Sequence, residues 1–178
     1  NSEIGGRTYR ELFEARTDLS PEVRDKIRFV GSVTEAELSR HYEEADILCL
    51  PSRYESFGLV LLEGAVFELP LIAANVGGMR EIVEHDKNGL LFNVGDSHDL
   101  AQSVRALVSD SNKRKRLGAR AREDFEKRFS LDVIVPQTVE YYTQIAEAHP
   151  RADASKEVVA QNFQRVLTDA AHANVDNK

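Results

Sequence analysis

From Ile27 onward, short runs of consecutive apolar residues alternate with longer stretches in which apolar side chains recur every three or four positions. That alternation is the pattern of a parallel sheet flanked by helices, so the expected class is α/β, with a Rossmann-like sheet. Residues 27–30, 47–50, 71–74 and 89–92 read as strands. The run Ile47-Leu48-Cys49-Leu50 is wholly apolar, as expected for a strand covered on both faces. Thr34 with Glu37 three residues later forms a capping-box signal for a helix over 35–44, and Asp96 caps another over 97–108. Residues 59–67, apolar nearly all round, predict a buried helix, and a short one follows over 79–84. Beyond Asp110 the pattern is helical, over 112–128, over 130–148 with Pro136 inside it, and over 154–173. The first 26 residues hold one weak helix, 7–15, and a turn around Leu19-Ser20-Pro21, and no further strand is expected. His149-Pro150 marks a break, which divides the chain into a sheet domain, 1–148, and a C-terminal helical extension, 149–178.

With 178 residues, 42% hydrophobic and 30% charged, the chain can bury one core. Thirty acidic against 23 basic residues give a net charge of −7, which disfavours a nucleic-acid partner. Cys49 is the single cysteine, so no internal disulfide forms and a reducing compartment is the simpler expectation. The first ten residues lack a basic segment followed by an apolar core, and no apolar run approaches the ~18 residues of a membrane span. A soluble, cytoplasmic chain is therefore expected. The basic run Lys113 to Arg116, with Arg120 and Arg122, leaves membrane contact open, but Glu123, Asp124 and Glu126 follow it and favour a solvated face. The five histidines are scattered without metal-ligand spacing. With no Asp-x-Asp pair, no Walker A and no Gly-x-Gly-x-x-Gly, no metal and no cofactor are expected.

The stretch most able to do chemistry is Pro51-Ser52-Arg53-Tyr54-Glu55-Ser56-Phe57-Gly58-Leu59-Val60-Leu61-Leu62-Glu63. It leaves the carboxyl end of a strand and enters a helix at a glycine, the place where open α/β sheets bind ligands. The N–H groups of Phe57, Gly58, Leu59 and Val60, with the positive end of the helix dipole, suit a phosphate. The next strand ends similarly, with Gly77 and Gly78 before a helix. If the two strands are neighbours, both helix starts converge on one crevice, which a diphosphate would match in charge and length. Glu63 interrupts an apolar run, so it is expected to be partly buried and to need donors such as a ribose diol. Glu55 lies nearer the mouth. On spacing alone, pairing of Glu63 with Arg53 or Arg80, and a merely solvated Glu55, stand beside these readings.

The segment Pro51 to Glu63, with two glutamates around Ser-Phe-Gly, resembles the signature of retaining GT-B glycosyltransferases of family 4, the group 1 glycosyl transferases. The likeness continues through Ile27-Arg28-Phe29-Val30-Gly31, Tyr42, Ala45-Asp46, Pro70, Gly77-Gly78, Glu81-Ile82-Val83 and Asn88-Gly89, covering roughly residues 24 to 148. The resemblance implies the C-terminal, donor-binding half of a metal-independent hexosyltransferase, with a nucleoside-diphosphate sugar as co-substrate. Glu55 would be the catalytic-site carboxylate, holding hydroxyls of the donor sugar without acting as a nucleophile. Glu63 would hold the ribose, and Ser56, Phe57, Gly58, Leu59 and Val60 the diphosphate. Gly77 and Gly78 would border sugar and phosphates, and the turn Gly31-Ser32-Val33 would lie beside the base.

Two residues depart from that family's pattern: Gly64 replaces a usual alanine, and Glu68 stands where a glycine usually precedes the Leu-Pro step. The family's opening strand-helix units, one with a basic pair that neutralises the leaving diphosphate, and its acceptor-binding N-terminal domain have no counterpart among the 178 residues. A sheet without those strands would leave an unpaired edge, so an N-terminal domain or a partner chain is expected beside it, with a sugar, lipid or protein as acceptor. The alternative is a non-catalytic module that binds a nucleotide sugar or docks a subunit.

Overall fold

The computed structural model describes residues 3, 4 and 6–148, which fall into two compact units, one ending at Ala45 and the other beginning at Asp46. The boundary expected after residue 148 and the helix expected over 154–173 lie outside the described residues.

The first unit opens with a hairpin that the hydrophobic pattern does not announce. Strand β1 (Glu3–Ile4) pairs antiparallel with β2 (Arg7–Thr8). Thr8 then caps α1 (Tyr9–Glu14) through a capping box with Glu11, and Ser20 caps α2 (Pro21–Arg24), where proline occupies the first turn. Helix α3 (Glu35–Glu44) begins as expected, with Thr34 and Glu37 exchanging side-chain and backbone hydrogen bonds. The strand expected over 27–30 does not form. Its residues join no ladder among the described residues, and the ring of Phe29 instead meets Phe13 of α1 edge-on at 5.4 Å, with the Arg10 guanidinium 5.3 Å above it. Apolar composition licenses a strand only where a neighbour supplies the other half of the hydrogen bonds.

The second unit is a three-stranded parallel sheet covered by helices. Strands β3 (Leu48–Leu50), β4 (Leu71–Ala74) and β5 (Gly89–Phe92) lie in that order, with Leu48 opposite Leu71 and Leu71 opposite Gly89. Helix α4 (Leu59–Val66) connects the first pair, and the single turn α5 (Met79–Ile82) the second. Helices α6 (Ser97–Val108), α7 (Ser111–Arg128) and α8 (Leu131–Ala148) follow, the last running through Pro136. Asp96 caps α6 by accepting from the amides of His98 and Asp99. The core gathers on the central strand, where Leu71, Ile72, Ala73 and Ala74 are all buried, together with Leu61, Met79, Leu107 and Leu117.

Two burial expectations are corrected. Strand β3 is a border of the sheet, with Leu48 and Leu50 half-buried and Cys49 exposed. Helix α4 buries only Leu61, Leu62, Gly64 and Ala65, while Leu59 is 64% exposed, because one stripe of a helix can face a sheet. Both family departures have a packing account. A β-carbon on Gly64 would stand 2.3 Å from the Leu48 Cδ2, so the glycine makes room for that leucine. Glu68 has φ of 56°, in the left-handed region that favours glycine, and its carbonyl oxygen would lie 1.8 Å from a β-carbon on Gly118 of α7.

The basic run on α7 stitches the fold together. Lys113 pairs with Asp86 at 2.8 Å, Arg116 donates to the Asp86 carbonyl oxygen at 3.1 Å, and Arg114 donates to the Leu107 and Val108 carbonyl oxygens at the end of α6. No described helix is long and apolar enough to cross a membrane.

Candidate donor site

Strand β3 ends at Leu50 and the chain turns through residues 51–58 into α4. Gly58, with φ of 98° and ψ of 49°, is the N-cap residue, a left-handed conformation that glycine adopts without steric cost. No side chain caps this helix, and the first N–H groups of a helix have no acceptor within it. The Leu61 amide takes the Gly58 carbonyl oxygen at 2.9 Å, so the donors left at the tip are those of the first turn.

The second loop leaves β4, the parallel neighbour of β3. The Asn75 amide donates to the Phe92 carbonyl oxygen at 2.8 Å, which ties the loop to the end of β5. The two loops then meet backbone to backbone. The Gly78 amide faces the Glu55 carbonyl oxygen at 3.4 Å. A β-carbon on Gly77, whose φ is 54°, would lie 2.0 Å from that same oxygen; one on Gly78 would lie 2.3 Å from the Ser56 carbonyl oxygen and 2.7 Å from the Phe57 Cα. Only glycines permit this approach. Met79, the fully buried first residue of α5, comes within 3.3 Å of where a β-carbon on Gly58 would stand. The expected convergence is therefore realised, with one adjustment: α5 is a single turn, so its end offers a few amides and little of an extended dipole.

Glu55, Ser56, Phe57, Gly58, Gly77 and Gly78 are thus brought together. Glu55 is half-buried and Ser56 exposed, while Leu59 and Val60 present their side chains outward beside the loop. Glu63 is exposed, which corrects the expectation of partial burial. Each helical residue turns by about 100°, so with Leu61, Leu62 and Ala65 facing the core, position 63 faces away. Gly31, Ser32 and Val33 belong to the first unit; Gly31 is left-handed, with φ of 76° and open space around it.

Sequence reasoning overlooks the support behind these loops. Phe57 turns its ring inward against Phe129, centroids 6.0 Å apart and planes at 71°. A depression of about 510 Å³ lies between α5 and α7, lined by Arg80, Glu81, Glu84, Arg120, Lys127 and Arg128. Its charges are mixed and largely paired, Arg120 with Asp124 at 2.8 Å and Lys127 with Glu123, so it carries no strong field of either sign. Among the described residues no group of three or more His, Cys, Asp or Glu side chains is placed to hold a metal ion.

A parallel sheet with glycine-bordered loops at the carboxyl ends of adjacent strands has the layout at which open α/β domains bind ligands, and the comparisons assign the chain to a family. The chain belongs to the Glycosyl transferases group 1 family, whose profile matches residues 4–124. Its fold is that of GT-B glycosyltransferases, and the residue pattern of their C-terminal domain fits it. Among curated proteins it is 38% identical over 127 residues to the sulfoquinovosyl transferase SQD2 of Arabidopsis thaliana, covering 70% of this chain and 24% of that one. Among solved structures it resembles the sucrose-phosphate synthase of Thermosynechococcus elongatus, with TM-score 0.67 and 31% identity over 71% of this chain and 32% of that one. It also resembles Anabaena Alr3699/HepE in complex with UDP-glucose, with TM-score 0.68 and 27% identity over 76% of this chain and 36% of that one. The chain spans roughly a quarter to two fifths of the length of the curated relatives it matches.

Proposed function

We propose that this chain is the donor-binding part of a retaining, metal-independent glycosyltransferase of family 4, which takes a hexosyl group from a nucleoside-diphosphate sugar to a sugar, lipid or protein acceptor bound elsewhere. The observation that carries the reading is the backbone contact of the 51–58 loop with Gly77 and Gly78, which puts an uncapped helix start beside a second set of amides and the half-buried Glu55. An anion with two phosphates fits such a place because backbone donors fixed in advance stabilise the charge that develops on the leaving diphosphate. The UDP-glucose complex of the HepE structure supports a nucleotide sugar as the ligand class.

In this reading the amides of Phe57 to Val60 hold the diphosphate, and Gly77 and Gly78 admit it closely. Glu55 orients hydroxyls of the donor sugar. Glu63 stands five residues beyond Gly58, about 7.5 Å along the helix, and accepts from the ribose hydroxyls. Its exposure suits a carboxylate that meets a ligand from solvent. Turnover requires an acceptor-binding domain or partner chain beside this part, and the reaction belongs in the cytoplasm, as a single cysteine favours.

Calorimetric titration with UDP, GDP and ADP, and with their sugars, tests the reading. One nucleoside diphosphate binds, and Glu63→Ala weakens it about tenfold or more, the worth of hydrogen bonds to a charged acceptor. Unchanged affinity in that variant would remove the ribose assignment. Turnover is measured on the protein together with its acceptor domain.

A further inference from the structure

The last turn of α7 and its cap residue touch one loop of the site and the short helix α5 that follows the other, although none of these residues belongs to either loop. Phe129, which follows the helix as its C-cap, meets the Phe57 ring of the 51–58 loop edge-on. Arg128 lays its guanidinium over that same Phe129 ring, 4.7 Å from the centroid, and donates from Nη2 to the Glu81 carbonyl oxygen of α5 at 2.7 Å. One turn earlier, buried Asp124 accepts from Asn88 Nδ2 at 2.9 Å. The same amide nitrogen reaches the Ile82 carbonyl oxygen at 2.9 Å, and Asn88 Oδ1 accepts from the Glu84 amide at 2.7 Å.

A single helical turn has no stability of its own, because nucleating it fixes several dihedrals for one hydrogen bond. The place of α5 is therefore set by what grips it. At its start are Gly77 and Gly78, packed on the backbone of Glu55 and Ser56; farther along are Arg128 and Asn88. The 51–58 loop has its own grip in Phe57, whereas Tyr54 is 85% exposed. One helix end thus contacts the first loop directly and the second through α5.

We propose that Arg128 and Phe129 are positioning residues of the donor site, holding the two loops at the spacing that lets their amides engage one diphosphate. This inference rests on the donor-site reading above. Loops ordered before the ligand arrives spare it the cost of ordering them, so loosening the grip is expressed as lost affinity.

Arg128 is exposed, so its replacement spares the core. The experiment titrates the complete protein and its variants with UDP, GDP and ADP by calorimetry, and follows thermal unfolding and amide exchange over residues 78–82. Arg128→Gln weakens the nucleotide bound by the wild type about fivefold to tenfold, through loss of the ring stacking and the carbonyl hydrogen bond. It also speeds exchange over 78–82, while the unfolding midpoint stays close to that of the wild type. Arg128→Lys recovers most of the affinity, since an ammonium still reaches the Glu81 oxygen. The control is Arg122→Gln, which removes another arginine-to-carbonyl bond of the same helix, to Val66, and leaves affinity unchanged. If Arg128→Gln binds as the wild type does, or Arg122→Gln weakens binding equally, the positioning role is overturned and the donor-site reading stands. If the wild type binds none of the three nucleotides, the donor-site reading itself is overturned.

Discussion

A methyl group at Gly78 would have to share space with the Ser56 carbonyl oxygen, 2.3 Å away, and neither atom belongs to a side chain that can swing aside. Gly78→Ala therefore has to part the two loops. The expected result is nucleotide affinity reduced about tenfold or more and a stability loss of about 1–3 kcal/mol, read by calorimetry and urea unfolding. Glu68 presents the opposite case. Its φ of 56° strains a residue with a β-carbon, so Glu68→Gly should stabilise the protein by about 0.5–1 kcal/mol, the relief exceeding the added freedom of the unfolded chain. A urea midpoint equal to or below that of the wild type would contradict this. The sequence flags Gly78 by its match to a family pattern and Glu68 by its departure from one, but only the backbone geometry gives the reason. The burial of Glu63 was misread for a local cause: an acid inside an apolar run looks enclosed until the helix rotation turns positions 61, 62 and 65 inward and 63 outward.

At the scale of elements, what was legible were features whose physics is local. The strands at 71–74 and 89–92 are short apolar runs set off by turn residues, and the helix starts at Thr34 and Asp96 are written in capping side chains. What escaped depended on partners far along the chain: 27–30 has the same composition as a strand but joins no ladder among the described residues, and Phe129 reaches Phe57 across more than seventy positions. The basic run on α7 was ambiguous for the same reason, since its partners lie elsewhere. The hydrogen bond and charge of Lys113, with Arg116 and His85 nearby, hold the Asp86 carboxyl below the usual aspartate range. A carboxyl depressed in the folded state contributes stability above its unfolded pKa and loses it as pH falls through the folded value. Acidification below the ordinary aspartate range should therefore release the Lys113–Asp86 pair, and Asp86→Asn should flatten that part of the acid unfolding profile. An unaltered profile would mean that the pair, exposed as it is, contributes nothing measurable.

Taken whole, the second unit concentrates its order on β4 and lets it thin toward β3. Helices α4 and α7 close over the central strand, and the two glycine-bordered loops issue from the carboxyl ends of β3 and β4, so one loop springs from the best-buried strand and the other from a border. The mutual packing of the loops through Gly77 and Gly78 lets the firmer loop steady the looser one. The border strand also carries the chain's one thiol. Cys49 is open to solvent, yet enough protein stands behind it to push its pKa upward, so alkylating reagents will modify it slowly and at a rate set by its surroundings. That makes it a built-in gauge: maleimide labelling should slow further when another strand lies alongside β3 and keep its basal rate while that flank is bare, reporting on assembly without any engineered tag.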